Sequence, residues 1–174
     1  MSENVSDVWK MVKIKFSNSP AQLQVARVLL RYGLGVADNS VYCGGMRVSD
    51  AQIAKEAGVD RRVVRSTVKT ISKDKEAKKI FEALRPVVFL KDVATTLGLG
   101  VIEIIPQDAS KPGIISDVTG IISDAGISIR QAITDDPYIS ENARMTIITD
   151  SKISGDLIEK LRSIKYVESV VVYK

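Results

Sequence analysis

Apolar positions change their spacing along residues 101–126, VIEIIPQDASKPGIISDVTGIISDAG, and the change predicts a strand, a loop and a helix in turn. Residues 101–105 are a short apolar run rich in β-branched side chains, the pattern of a buried strand. Pro106 stops it, and a polar loop follows. Ile114, Ile115, Val118, Ile121, Ile122 and Ala125 then fall on one face of a helix with about 3.6 residues per turn. Pro112 and Gly113 open that helix, proline being favoured at the first helical position, and Gly126 stands where a stop is expected. In residues 127–133, Ile127, Ile129 and Ile133 alternate with Ser128, Arg130 and Ala132, which predicts a half-buried strand.

The pattern continues to the C-terminus. Asp135-Asp136-Pro137 begins a hairpin connection, and residues 144–149 are the next strand. Ser154, Gly155 and Asp156 start a second helix with Leu157, Ile158, Leu161 and Ile164 inward; residues 167–173 are a last strand. The order β-α-β-β-α-β is the ferredoxin-like arrangement. Right-handed crossovers put both helices on one face of the sheet. The other face then needs cover, from a partner subunit or from the rest of the chain.

The first half reads as helices. Val5, Val8, Trp9, Val12 and Phe16 make a helical stripe over about residues 7–16, with Ser6 as cap. Ser19 caps a second helix with Pro20 at its first position, which Leu23, Ala26, Leu29 and Leu30 carry to Gly33. Residues 35–45 are loop-like, with Asn39-Ser40 and Gly44-Gly45 as turn signals and a short extended piece at 41–43. In residues 47–71, Ser49 and Gln52 suit a capping box, Gly58 ends a short helix, and Asp60 caps the next. Val64, Val68 and Ile71 form the buried side of that next helix; Arg61, Arg62, Arg65, Ser66 and Lys69 lie opposite. Residues 72–85 continue as a charged helix after a break at Ser72-Lys73-Asp74, and 87–97 as a connecting helix with Leu90, Val93, Ala94 and Leu97 on one side. Gly98-Leu99-Gly100 is the linker. The fold class is therefore α+β: an all-α domain over 1–98, then a ferredoxin-like domain over 99–174.

Two helices, a short glycine-containing turn and a small residue, Ala54, at their crossing are the grammar of a helix-turn-helix. IAKEAGVDRRVVRSTVKTI closely resembles the helix-turn-helix of prokaryotic transcription regulators, in which the second helix enters the major groove. Arg61, Arg62 and Arg65 are then the readers of base edges, with Lys69 on phosphate. A helical hairpin with a solvated basic face, or a dimerisation module, fits the same pattern.

Charge sharpens this division. Residues 1–98 hold 17 Lys and Arg against 10 Asp and Glu, and residues 99–174 hold 8 against 11. A basic first half suits nucleic acid, although a lysine-rich solvated surface gives the same count. The chain has no histidine and a single cysteine, Cys43. That leaves no structural zinc site and no Ser-His or Cys-His nucleophile pair. No metal, cofactor or catalytic constellation is expected, and the chain reads as a non-enzyme. Without a secretory signal or an apolar run of about 20 residues, a cytoplasmic protein with no membrane partner is expected.

Loop 108–113 leads into a helix start, where unpaired N–H groups and the helix dipole favour an anion. A ligand carboxylate and a plain helix start both fit these residues. The strand VIEIIP, the loop QDASKPG, the helix IISDVTGIISDAG and the strand ISIRQAI resemble an ACT domain, the small ligand-sensing module of amino-acid metabolism. With the helix-turn-helix ahead of it, nearly the whole chain resembles archaeal ACT-domain regulators of amino-acid metabolism. The resemblance implies side-by-side pairing into a homodimer or higher oligomer, with an amino acid or related metabolite at the interface. By position it implies Asp108, Ser110, Lys111, Gly113 and Ile114 from the loop, and Ser128 and Arg130 from the second strand. Ser128 stands where many amino-acid-binding members have asparagine. The function implied is a metabolite-responsive, DNA-binding transcriptional regulator. The alternative is a regulatory subunit that docks on a biosynthetic enzyme.

Overall fold

The structure is a computed structural model describing residues 8–137, 140 and 142–173. Val5 and the cap at Ser6 lie outside the described residues. The chain divides into two compact units, Met1–Val88 and Phe89–Lys174.

The first unit contains α1 (Val8–Lys15), α2 (Pro20–Arg31), β1 (Gly35–Ala37), β2 (Ser40–Cys43), β3 (Met46–Val48), α3 (Asp50–Ala57), α4 (Arg61–Lys73) and α5 (Lys75–Ala83). It is not all-helical, contrary to the sequence expectation. Residues 35–48 form a three-stranded antiparallel sheet in the order β1-β2-β3. Of the turn signals that suggest a loop, Gly44-Gly45 is itself a hairpin turn, whereas the other turn is Asp38-Asn39, one residue before Asn39-Ser40, and Ser40 begins β2. Ala37 pairs with Ser40 and Cys43 with Met46, so each turn has two residues. Asp38 and Asn39 both take positive φ, 48° and 54°, as a hairpin turn with the twist of its strands requires. Strands of three and four residues are too short to display an alternating pattern. Val36 and Val41 pair across the sheet and are buried with Phe16, Leu29, Ile53, Val64, Ile71 and Phe81 in one core.

Capping divides the later helices. Ser49 and Gln52 form the capping box of α3. The Asp60 side chain accepts from the Arg62 N–H at the start of α4. Asp74 follows the last residue of α4 and caps α5 by accepting from the Ala77 N–H. It also pairs with Lys15 of α1. A Cβ on Gly33 would sit 2.4 Å from the Arg85 carbonyl oxygen, so the backbone of Arg85 and Pro86 lies hard against the end of α2.

The second unit contains α6 (Lys91–Ala94), β4 (Gly100–Pro106), α7 (Ile114–Asp124), β5 (Ile129–Thr134), β6 (Met145–Thr149), α8 (Gly155–Arg162) and β7 (Val167–Tyr173). The sheet order is β5-β6-β4-β7, with every neighbouring pair antiparallel. This is the ferredoxin-like order. Val118 and Ile122 of α7, and Leu157 and Leu161 of α8, pack on Ile102, Ile104 and Ile147, so both helices cover one face.

Residues 89–99 cover part of the other face. We call this segment the strap. The sequence places it in the first unit as a helix over 87–97; here it belongs to the second, and only α6 is α-helical. Leu90, Ala94 and Leu99 pack against Val101, Ile148 and Tyr173. Val93 and Leu97, expected on the same apolar side, are 49% and 65% exposed. The Leu90 N–H donates to Gln131 Oε1 on β5 at 3.0 Å. At the far end, a Cβ on Gly100 would meet the Ser151 carbonyl oxygen and Thr149 Oγ1 at 2.4 Å each.

Glu103 lies beneath the strap in the middle of β4, 3% exposed. Its carboxylate accepts from Lys91 Nζ at 2.6 Å, Tyr173 OH at 2.7 Å and Arg144 Nη1 at 3.0 Å. Burial alone raises its pKa, but the bonds from Lys91, Tyr173 and Arg144 outweigh burial and hold it below the ordinary value of 4.5. A depressed folded-state pKa means that its contribution to stability is complete above the unfolded value and is lost as pH falls through the folded one. In urea unfolding, Glu103→Ala is expected to cost about 2–3 kcal/mol, less than a fully enclosed pair because Lys91 and Arg144 keep some solvent. Glu103→Gln is expected to flatten the decline in stability below pH 4.5.

Candidate functional site

The basic surface of the first unit is built on α4. Gly58 ends α3 with φ of 64°, a left-handed turn that glycine takes without strain, and its N–H bonds back to α3. Asp60 then starts α4. Val64, Thr67, Val68 and Ile71 of α4 are buried. That burial fixes the rotation of the helix and leaves Arg61, Arg62, Arg65, Ser66 and Lys69 exposed.

These five side chains are not equivalent. Arg62 Nε donates to Asp60 Oδ1 at 3.0 Å, and Arg65 Nε to Asp50 Oδ2 at 2.7 Å. The Asp60 carboxyl is held below its usual range, first by the Arg62 backbone N–H and then by the Arg62 side chain. The Ser66 hydroxyl accepts from Gln22 Nε2 of α2 at 2.5 Å. Arg61 and Lys69 have no ion pair among the described residues. So two guanidinium groups are paired with neighbouring carboxylates while Arg61 and Lys69 make no such pair among the described residues. The sequence shows the five residues on one face but not these pairings, because Asp50 and Gln22 come from other helices.

In the second unit, the loop between β4 and α7 is organised by Asp108. Its Oδ1 accepts from the Ser110 hydroxyl at 2.6 Å and the Ser110 N–H at 3.0 Å, and Lys111 Nζ lies 3.7 Å from Oδ2. The Ser110 bonds, side chain first, hold the Asp108 carboxyl below its usual range. Gly113 is the cap of α7, with φ of 98° and no side-chain cap. Pro112 is therefore outside the helix rather than at its first position. Open space surrounds the position that a Gly113 Cβ would take. Ile114 is buried in the core, whereas Ser128 and Arg130 are exposed. Among the described residues, no hydrogen bond or ion pair joins the loop to Ser128 or Arg130. One chain thus brings Asp108, Ser110, Lys111, Gly113 and Ile114 together as a single loop and helix start. It does not close them into a site with Ser128 and Arg130.

Sequence reasoning missed the cluster of Glu103, Lys91, Arg144 and Tyr173. The signal was available: a glutamate at the centre of the apolar strand VIEII needs cationic or hydroxyl partners if the strand is buried. Among the described residues, no group of His, Cys, Asp and Glu side chains is placed to hold a metal ion. No helix is long and apolar enough to cross a membrane.

A four-stranded antiparallel sheet with two helices on one face and a glycine-capped helix start after its first strand defines a ferredoxin-like α+β module. An ACT domain is found at residues 109–165 of this chain. The match begins in the Asp108 loop and ends after α8; β4 and β7 complete the sheet on either side. ACT domains bind small-molecule ligands and often dimerise, so the domain implies a ligand-sensing, regulatory role. A solved structure described as "Crystal structure of PH0061" aligns with 88% of this chain and 89% of that one, at 16% identity and a TM-score of 0.30. At that score it informs neither fold nor function. No curated protein matches the chain.

The Asp108 pairing has a direct readout. The Ser110 amide resonance is expected to follow the Asp108 carboxyl, with a titration midpoint below 3.8. Asp108→Asn is expected to abolish that titration. A midpoint at or above 3.8 in the unaltered chain would show that the carboxylate is not held by Ser110.

Proposed function

We propose that this protein is an amino-acid- or metabolite-responsive transcriptional regulator and not an enzyme. In this reading, α3 and α4 form a helix-turn-helix, and α4 enters the major groove. Arg61, Arg62 and Arg65 face base edges, while Ser66 and Lys69 sit near phosphate. The single observation that carries the reading is the exposed basic face of α4, set by a buried apolar seam on its opposite side. The pairings of Arg62 and Arg65 add to it, because a guanidinium held in place loses less freedom when it docks on a base.

The effector enters at the ACT domain. Its carboxylate lies on the N–H groups at the start of α7, beside Gly113, with Ile114 along its side chain. Asp108 is already engaged by Ser110, so the effector's ammonium competes with Lys111 for the remaining carboxylate oxygen. Ser128 and Arg130 come from a second copy, which supplies the side of the site that one chain leaves open. The protein then works as a homodimer or higher oligomer through its ACT domains, in the cytoplasm. Effector binding alters that pairing and so the spacing of two recognition helices, which must match half-sites about one DNA turn apart.

A second reading has one observation in its favour. Asp50 and Asp60 lie among the arginines, giving a mixed-charge surface of the kind that docks on protein. A regulatory subunit bound to an amino-acid biosynthetic enzyme would use that surface without DNA.

Band shifts on genomic fragments separate the two. DNA binding is expected to weaken steeply with salt, and Lys69→Ala is expected to lower the salt slope by about 1 without changing sequence preference. Arg61→Ala is expected to cost about 1–3 kcal/mol of binding and to relax the preference at one position. No shift at low salt, with or without each of the amino acids, together with co-purification of a biosynthetic enzyme, would replace this reading with the second.

A further inference from the structure

We propose that the second unit carries another small-molecule site, separate from the loop before α7, whose ligand is a short aliphatic carboxylate without an ammonium group. The site is a cavity of about 260 Å³ between the strap, the start of β4, the end of β7 and the connection from β6 to α8. It lies outside the machinery assigned above to DNA or to the ACT effector, and it does not depend on either assignment.

The lining specifies the ligand. Leu99, Ile153, Val172 and the Tyr173 ring supply apolar walls. The phenol O–H of Tyr173 already donates to Glu103. Two further residues lining the cavity carry polar side chains, Thr95 and the exposed Lys152. Among the described residues, neither the Lys152 ammonium nor the Thr95 hydroxyl has a hydrogen-bond or ion-pair partner. No carboxylate side chain lines the space. The cavity thus offers one cation and one hydroxyl against apolar surface, and nothing anionic.

Each class of small metabolite meets this lining differently. A carboxylate with an aliphatic tail pairs with Lys152 and buries its tail among Leu99, Ile153 and Val172. A zwitterionic amino acid of the same skeleton brings an ammonium for which no side-chain anion is provided, and desolvating it is costly. A phosphate needs more donors than one ammonium and one hydroxyl. Size sets the upper bound, because the volume is below the roughly 300–1,000 Å³ of sites for drug-sized ligands. A 2-oxo acid and a plain fatty acid share the required chemistry. The Thr95 hydroxyl distinguishes them, since it can donate to an oxo group.

The test uses the full chain and three probes with one carbon skeleton: 4-methylpentanoate, 4-methyl-2-oxopentanoate and leucine. Calorimetric titration is expected to show saturable binding of both acids, with leucine at least about tenfold weaker. Lys152→Met, at an exposed position, is expected to weaken both acids by about tenfold. Thr95→Val is expected to weaken only the oxo acid. If Thr95→Val leaves both acids unchanged, a plain fatty acid is the ligand type, within the same proposal. Ile153→Trp is expected to abolish binding by filling the cavity, with circular dichroism confirming the fold. The proposal is overturned if neither acid binds saturably, if leucine binds as tightly as the acids, or if Lys152→Met has no effect. It is also overturned if Asp108→Asn abolishes acid binding while Lys152→Met does not. That last result would move the ligand to the loop and leave the ligand-sensing reading in place.

Discussion

The second unit depends on one buried carboxylate. Strand β4 is one of the two inner strands and is covered by α7 and α8 on one side and in part by the strap on the other. Glu103 faces the strap side, and a charge there survives only with donors close by. Lys91 comes from the strap, Arg144 from the residue before β6 and Tyr173 from the end of β7. Three stretches far apart in sequence are therefore tied to one point on the sheet. Apolar contacts alone would let the strap slide along the surface; the Lys91 bond and the Leu90 bond to Gln131 fix its register.

This explains a structural choice that hydropathy misses. An amphipathic helix over 87–97 would point Leu90, Val93, Ala94 and Leu97 the same way. Here α-helix is limited to four residues, Gly98 turns the chain with φ of 75°, the Leu99 N–H bonds back to the Ala94 carbonyl, and Val93 and Leu97 are exposed. The Lys91 bond from this segment keeps Glu103 paired, and an unpaired buried carboxylate would cost more than two exposed aliphatic side chains.

Legibility in the sequence followed the length of each element. The strand of residues 101–105, the eleven-residue helix α7 and the thirteen-residue helix α4 carry enough positions for their period to show. The capping residues Ser49, Asp60 and Ser154 stand where their side chains bond the helix start. The sheet at 35–48 was not legible, since its strands are only three or four residues long and Asp38-Asn39 resembles any polar loop. Of the candidate residues, the exposed face of α4 follows from its buried one. The engagement of Asp108 by Ser110 does not follow from composition, because either residue could equally have faced a ligand. The Arg65 pairing with Asp50 is likewise a tertiary event between two helices.

Two glycines are held so close to neighbouring backbone that neither has room for a side chain. Gly100 is wedged against Ser151 and Thr149, and the Leu99 N–H is bonded to the Ala94 carbonyl, so the glycine-rich stretch before β4 is a fixed anchor rather than a joint. Gly33 likewise holds Arg85 and Pro86 against the first unit. Between these anchors, the Leu90 N–H is fastened to Gln131. A side chain at Gly33 or Gly100 would have to displace backbone, so these two glycines fix the local path of the chain within each unit.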